Sequence, residues 1–111
     1  MKVNELAQKL SLTLLAGEGG LNNEVCCGYS GDLLSWVMGR AKEGSAWVTV
    51  MGNINAIAVA TLADCACIIL SDNASLDEDA RKKAESQNIP VLSTSKNSYE
   101  TSVEIFNLIK A

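Results

Sequence analysis

The chain has 111 residues, 48% of them hydrophobic and 20% charged, a composition that supports one folded core and excludes a disordered chain. Nine basic and 13 acidic residues leave a formal charge of −4, and the longest basic run, Arg81-Lys82-Lys83, is flanked by Glu78, Asp79 and Glu85, so no nucleic-acid partner is expected. Histidine does not occur, which excludes histidine-based metal sites and histidine general bases.

Val3, Leu6, Ala7 and Leu10 recur at helical spacing and predict a first helix over 3–10. A short extended piece, Thr13 to Ala16, leads into two turn clusters, Gly17-Glu18-Gly19-Gly20 and Asn22-Asn23, and then into a strand from Val25 to Tyr29. Asp32 is placed to cap a helix that ends near Glu43-Gly44, with Leu33, Val37 and Ala41 toward the core. Ala46 to Val50 reads as a strand. Asn53 or Asn55 caps the next helix, with Ile54, Ile57, Ala58, Thr61 and Leu62 on one side. Ala66 to Leu70 is nearly continuous in apolar residues, the pattern of a strand covered on both faces. Ser75 and Glu78 suit a capping box for a helix running to Gln87 with Leu76, Ala80 and Ala84 inward, and Asn88 ends it. Pro90 to Leu92 is the last strand. Asn97 and Glu100 form a second capping box, and Tyr99, Val103, Phe106 and Ile109 line the final helix. Strict alternation from residue 46 onward implies right-handed parallel crossovers, hence an α/β fold with a mostly parallel sheet and helices packed on it.

The opening Met1-Lys2-Val3-Asn4-Glu5 carries no apolar signal region, and Asn55 and Asp64 interrupt the longer apolar stretches, so neither export nor a membrane is expected and the cytoplasm is the expected location. Cys26 and Cys27 are adjacent and would point to opposite faces if extended, while Cys65 and Cys67 lie in the apolar run Ala63 to Leu70. Neither pair has a Cys-x2-4-Cys spacing. They are therefore expected to be buried free thiols, with an exposed redox thiol as the alternative, and with no metal and no cofactor.

In open α/β sheets ligands gather beyond the carboxyl ends of the strands. Three segments belong there: Thr49 to Asn53, Ser71 to Asn73, and Ser93 to Asn97. Their candidate ligand residues are Thr49, Gly52, Asn53, Ser71, Asp72, Ser93, Thr94 and Lys96, suited to a small polar or phosphorylated ligand. The same residues also read simply as caps and turns. The carboxylates are dispersed: Asp77, Glu78 and Asp79 favour a helix start, and no acid–base pair is visible. Gly17-Glu18-Gly19-Gly20 lacks the Gly-Lys-Ser/Thr of a P-loop, and there is no dinucleotide fingerprint or nucleophile elbow. The run Leu33-Leu34-Ser35-Trp36-Val37-Met38 is more apolar than one buried face needs, which points to Leu34, Trp36 and Met38 as contacts in a homodimer, with residual core packing as the alternative.

Two stretches, Ala66-Cys67-Ile68-Ile69-Leu70 and, after the acidic helix, Asn88-Ile89-Pro90-Val91-Leu92-Ser93-Thr94 continuing through Ser98-Tyr99-Glu100-Thr101, resemble the DRTGG domain family. So do Ala16-Gly17-Glu18-Gly19-Gly20-Leu21-Asn22, then Val25, Gly28 and Tyr29, and Gly44 to Thr49. The resemblance spans nearly the whole chain and implies a stand-alone DRTGG-like domain over 1–111, with a fold like the N-terminal domain of HPr kinase/phosphorylase. The Asp-Arg-Thr-Gly-Gly pentapeptide is absent; Met51-Gly52-Asn53-Ile54-Asn55 stands where a comparable turn would lie. The resemblance implies a regulatory or dimerising module without catalysis, and no inherited kinase activity, because the kinase P-loop belongs to another domain. It also implies a possible accessory role beside anaerobic electron-transfer proteins. Three functions compete: a dimeric module sensing a nucleotide or phosphorylated metabolite, an accessory subunit that binds a protein partner, and a hydrolase or phosphotransferase.

Overall fold

Ala46-Trp47-Val48 and Ile68-Ile69-Leu70 are apolar at every position, and in the computed structural model, which describes residues 1–110, both are buried in the middle of one five-stranded sheet. The elements are α1 (Val3–Lys9), β1 (Thr13–Ala16), a 3-10 turn (Glu18–Gly20), β2 (Cys27–Ser30), α2 (Leu34–Arg40), β3 (Ser45–Thr49), α3 (Ile54–Leu62), β4 (Cys67–Leu70), α4 (Glu78–Gln87), β5 (Val91–Ser93) and α5 (Ser98–Ile109). The strand order is β1-β5-β4-β3-β2. β2 to β5 are parallel; β1 runs antiparallel to β5, with an irregularity between Leu14 and Ala16. The fold is thus α/β with a mixed, mostly parallel sheet.

Each crossover from β2 to β5 steps to the neighbouring position in the same direction, so right-handedness puts α2, α3 and α4 on one face. Val37, Ala56, Ile57, Ala60, Ala80 and Ala84 meet Trp47, Ile68, Leu70 and Val91 there. On the opposite face Val3 and Leu6 of α1 and Ile105 of α5 meet Ala46, Val48, Cys67, Ile69 and Leu92. The alternation of side chains along each strand divides them between these two cores.

Several expected details change. Asp32 does not cap α2; Leu33 holds that position without a side-chain bond, and α2 stops at Arg40, where Ala41 turns extended. Leu34 packs against the core while Leu33 is exposed, reversing their expected sides. Asp77, not Ser75, precedes α4, and Glu78 pairs with Arg81 three residues on. α3 buries Ala56, Ile57, Val59 and Ala60, leaving Ile54 and Leu62 outside: small residues let it approach the sheet closely between α2 and α4.

The largest change concerns α5. Its helical period is as expected, but Tyr99, Val103 and Phe106 face outward and Thr101 and Ile105 inward. The reason is tertiary: α5 packs against β2 and β3, and Ile105 joins Val48, Ile69 and Leu92 in the core. Strand-end hydroxyls take the polar side of the helix, Ser71 with Ser98 at 2.7 Å and Ser30 with Ser102 at 2.5 Å.

The thiols also separate. Cys65 and Cys67 are buried as expected, whereas Cys26 is exposed and Cys27 half-buried, because the chain enters β2 only at Cys27. The two sulfurs stand 3.7 Å apart rather than on opposite faces.

Candidate functional site

α4 leaves the carboxyl end of β4 toward one face and α5 leaves the end of β5 toward the other. Divergence of this kind opens a crevice between neighbouring strand ends. Here the chain closes much of it. Asp72 N–H donates to Lys96 O and Asn73 N–H to Thr94 O, both at 2.9 Å, and the Ser71 and Ser98 hydroxyls meet beneath.

The other candidate residues are similarly engaged. Thr49 is fully buried and its hydroxyl donates to Asp32 Oδ1 at 2.7 Å; the same oxygen accepts from Val50 N–H at 3.0 Å. Asp32 therefore ties the loop after β2 to the loop after β3, a role that no local pattern announces. Asn53 Oδ1 accepts from Ala56 N–H at 2.9 Å and caps α3. Gly52 is there for contact: an added Cβ would fall 1.9 Å from Ser75 O, and Gly52 O accepts from Asp77 N–H at 2.8 Å. Among the described residues no buried side-chain nitrogen or oxygen lacks a partner. The strand-end loops between β2 and β4 are internally complete.

A larger and more polar opening than the one beside Ser30 and Phe106 lies between β5 and β1. A cleft of about 400 Å³ is lined by Lys9, Leu10, Ser11, Thr13, Asn73, Ser93, Thr94, Ser95, Lys96 and Glu104. It gathers three of the expected residues, Ser93, Thr94 and Lys96, and leaves Thr49, Gly52, Asn53, Ser71 and Asp72 outside its lining. Lys96 Nζ lies 2.5 Å from Glu104 Oε2, and that carboxylate raises the Lys96 ammonium above its ordinary value. Lys9 is the second cation. It comes from the last turn of α1, far away in sequence, and reaches the cleft because β1 returns antiparallel beside β5. An antiparallel neighbour is not signalled by βα alternation, so neither Lys9 nor Ser11 could be read from the sequence as a site residue.

The arrangement offers hydroxyls, an amide and two ammonium groups around a polar opening, which suits an oxyanion. It offers no nucleophile–base pair. Among the described residues no three His, Cys, Asp or Glu side chains are placed to hold a metal ion. Burial pushes the Cys65 thiol up to about 11 and Cys67 higher still, so both stay neutral near pH 7.

The model of the DRTGG domain matches residues 5–108. The chain belongs to the DRTGG domain family. Its fold is similar to a crystal structure of the CBS and DRTGG domains of the regulatory region of Clostridium perfringens pyrophosphatase complexed with its activator, diadenosine tetraphosphate. The TM-score is 0.69 and the identity 14%, over 94% of this chain and 45% of that one. At that identity the likeness concerns the fold, and this DRTGG chain spans less than half of the pyrophosphatase region. No curated protein matches it. No helix among the described residues is long and apolar enough to cross a membrane.

Proposed function

We propose that this DRTGG chain is a non-catalytic regulatory module that binds a nucleotide or phosphorylated metabolite in the cleft between β5 and β1. The observation that carries the reading is the convergence of Lys9, Lys96, Ser93, Thr94 and Ser95 on one polar opening. A phosphate would draw Lys96 away from Glu104, an exposed pair of small intrinsic worth. The similarity to a pyrophosphatase regulatory region crystallised with a nucleotide activator supports a regulatory role, and the family match supports a non-catalytic one. Residues 1–111 would act as one cytoplasmic domain related in fold to the N-terminal domain of HPr kinase/phosphorylase.

The test is a thermal-shift titration with ATP, GTP, diadenosine tetraphosphate and pyrophosphate. A ligand at a hundredfold excess over Kd should stabilise the native protein by about 2.7 kcal/mol. The rise should saturate, and it should vanish in a Lys9→Ala/Lys96→Ala double variant. No rise in the wild type, or an equal rise in the double variant, overturns the assignment.

A second copy of the chain is the proposed partner, and a different protein covering the same face is the accessory-subunit alternative. β2 is an edge strand, flanked on one face by α2, with Trp36 and Met38 exposed, and on the other by α5, with Tyr99, Val103 and Phe106 exposed. Arg40 stacks 3.7 Å over the Trp36 ring, so part of that indole is already covered. An open strand edge beside apolar helix faces favours association. Sedimentation equilibrium should show a dimer that Trp36→Ser or Phe106→Ser weakens; a monomer at every concentration rejects this reading.

A further inference from the structure

The amino ends of the parallel strands carry a different chemistry from their carboxyl ends. A cleft of about 450 Å³ there is lined by Asn23, Glu24, Cys26, Glu43, Gly44, Asp64, Cys65 and Ala66. Cys26 is part of that lining, and the sulfur of its neighbour Cys27, outside the lining, lies 3.7 Å from the Cys26 sulfur. The surrounding loop holds them there. Cys26 N–H donates to Gly44 O at 3.0 Å, and its thiol donates to Glu43 O at 3.0 Å. A Cβ at Gly44 would lie 2.7 Å from Cys26 Sγ, so only glycine leaves room for the sulfur. Cys27 Sγ meets Ser45 Oγ at 3.3 Å, and Ser45 in turn donates to Lys42 O. Two thiols, one exposed and one half-buried, are thereby presented side by side, while Cys65 and Cys67 are shut away.

We propose that Cys26 and Cys27 form a dithiol site that is oxidised to a vicinal disulfide by exchange with a small disulfide of the glutathione class. The Cys26 thiolate attacks one sulfur of the incoming disulfide, breaks its S–S bond and releases one thiolate, which takes up the proton that Cys26 lost. Cys27 then attacks the Cys26 sulfur of the mixed disulfide. The second thiolate leaves and takes the Cys27 proton. Two electrons pass to the small disulfide, which ends as two thiols. Partial desolvation of the Cys26 sulfur and the adjacent Cys27 thiol push Cys26 above the ordinary thiol value, so exchange accelerates as pH rises. Adjacent Cα atoms are about 3.8 Å apart, closer than the roughly 4.4–6.8 Å usual for disulfides. The bond is therefore strained and readily reopened by thiols, which makes the site reversible. Closure withdraws both sulfurs from Glu43 O and Ser45 Oγ, and so loosens the loop that leads into β3.

The full chain is incubated with oxidised glutathione under native conditions, quenched, and digested with trypsin. Cys26 and Cys27 fall in the peptide 10–40 and Cys65 and Cys67 in 43–81, so the two pairs separate cleanly. The wild type should lose two hydrogens from 10–40 and retain no glutathione. Cys27→Ser, which lacks the resolving thiol, should retain one glutathione on that peptide, and circular dichroism checks that it is folded. Cys26→Ser is the reciprocal variant and should react more slowly, through the half-buried Cys27. Stable glutathione on the wild-type peptide, hydrogen loss from 43–81, or no reaction at 10–40 would each overturn the proposal.

Discussion

Replacing Trp47 with Ala is expected to lower the unfolding free energy by about 3–5 kcal/mol. Trp47 heads the fully buried side chains by volume, in the middle of β3. It faces α2, α3 and α4, and its Nε1–H donates to Gly31 O at 2.9 Å. Truncation removes the apolar burial, leaves a cavity between sheet and helices, and strips the Gly31 carbonyl of its partner. Small domains have only roughly 5–15 kcal/mol in hand, so the variant should sit near the edge of folding. Trp47→Phe separates the contributions, because it keeps much of the ring volume and loses only the hydrogen bond and the second ring. Urea unfolding followed by far-UV circular dichroism gives both values, and an unchanged m-value would show that the native state itself is preserved. A cost below about 1 kcal/mol for the alanine variant is incompatible with a fully packed site.

Gly17→Ala should be nearly as damaging, for a backbone reason. Gly17 follows β1 with φ of 81°, in the left-handed region. That conformation costs about 1–2 kcal/mol for a residue with a Cβ. The new methyl would also stand 1.9 Å from Ile89 O, on the loop that enters β5. Overpacking against backbone adds about 1–3 kcal/mol. Gly17 N–H meanwhile donates to Glu85 Oε1 at 3.0 Å, so displacement also breaks a tie between β1 and α4. The control is Gly39→Ala in α2, where an added Cβ meets nothing within 4 Å. There a helical Ala should stabilise by about 0.5–1 kcal/mol. Opposite signs at the two glycines are the expected result. Equal effects would mean that the turn at 17–20 is not pressed against Ile89 and Pro90.

Gly17 matters to function because β1 carries one wall of the cleft. If the turn shifts, Thr13, Ser11 and Lys9 move relative to Ser93 and Lys96, and anion binding should weaken along with stability. Trp47 lies between the two ends of the sheet, so its loss should leave the cleft residues in register until the protein unfolds.

Local chemistry was enough for much of this molecule. A continuous apolar run marked β4 as a doubly covered strand and Ala46 to Val50 marked β3 as a strand, Asn53 or Asn55 and then Asn97 announced the starts of α3 and α5, and Asn88 in its left-handed conformation ended α4. These signals are legible because each depends on residues within about a turn of one another. The βα alternation that gave the parallel sheet belongs to the same class.

Contacts between distant segments decided the rest. The phase of α5 depends on its packing against β2 and β3 and on serines at the strand ends, so a helical period alone did not say that Tyr99, Val103 and Phe106 would face outward. Asp32 looked like a cap because nothing nearby shows that Thr49 will lie beside it. Most of the expected ligand residues are polar because the fold consumes their bonds, and the remaining open cleft draws Lys9 from a helix that precedes the alternating pattern. Helix starts and buried strands are written in short windows of sequence. Which polar groups are left free is set only when every segment has taken its partners, and that is a property of the whole packed chain.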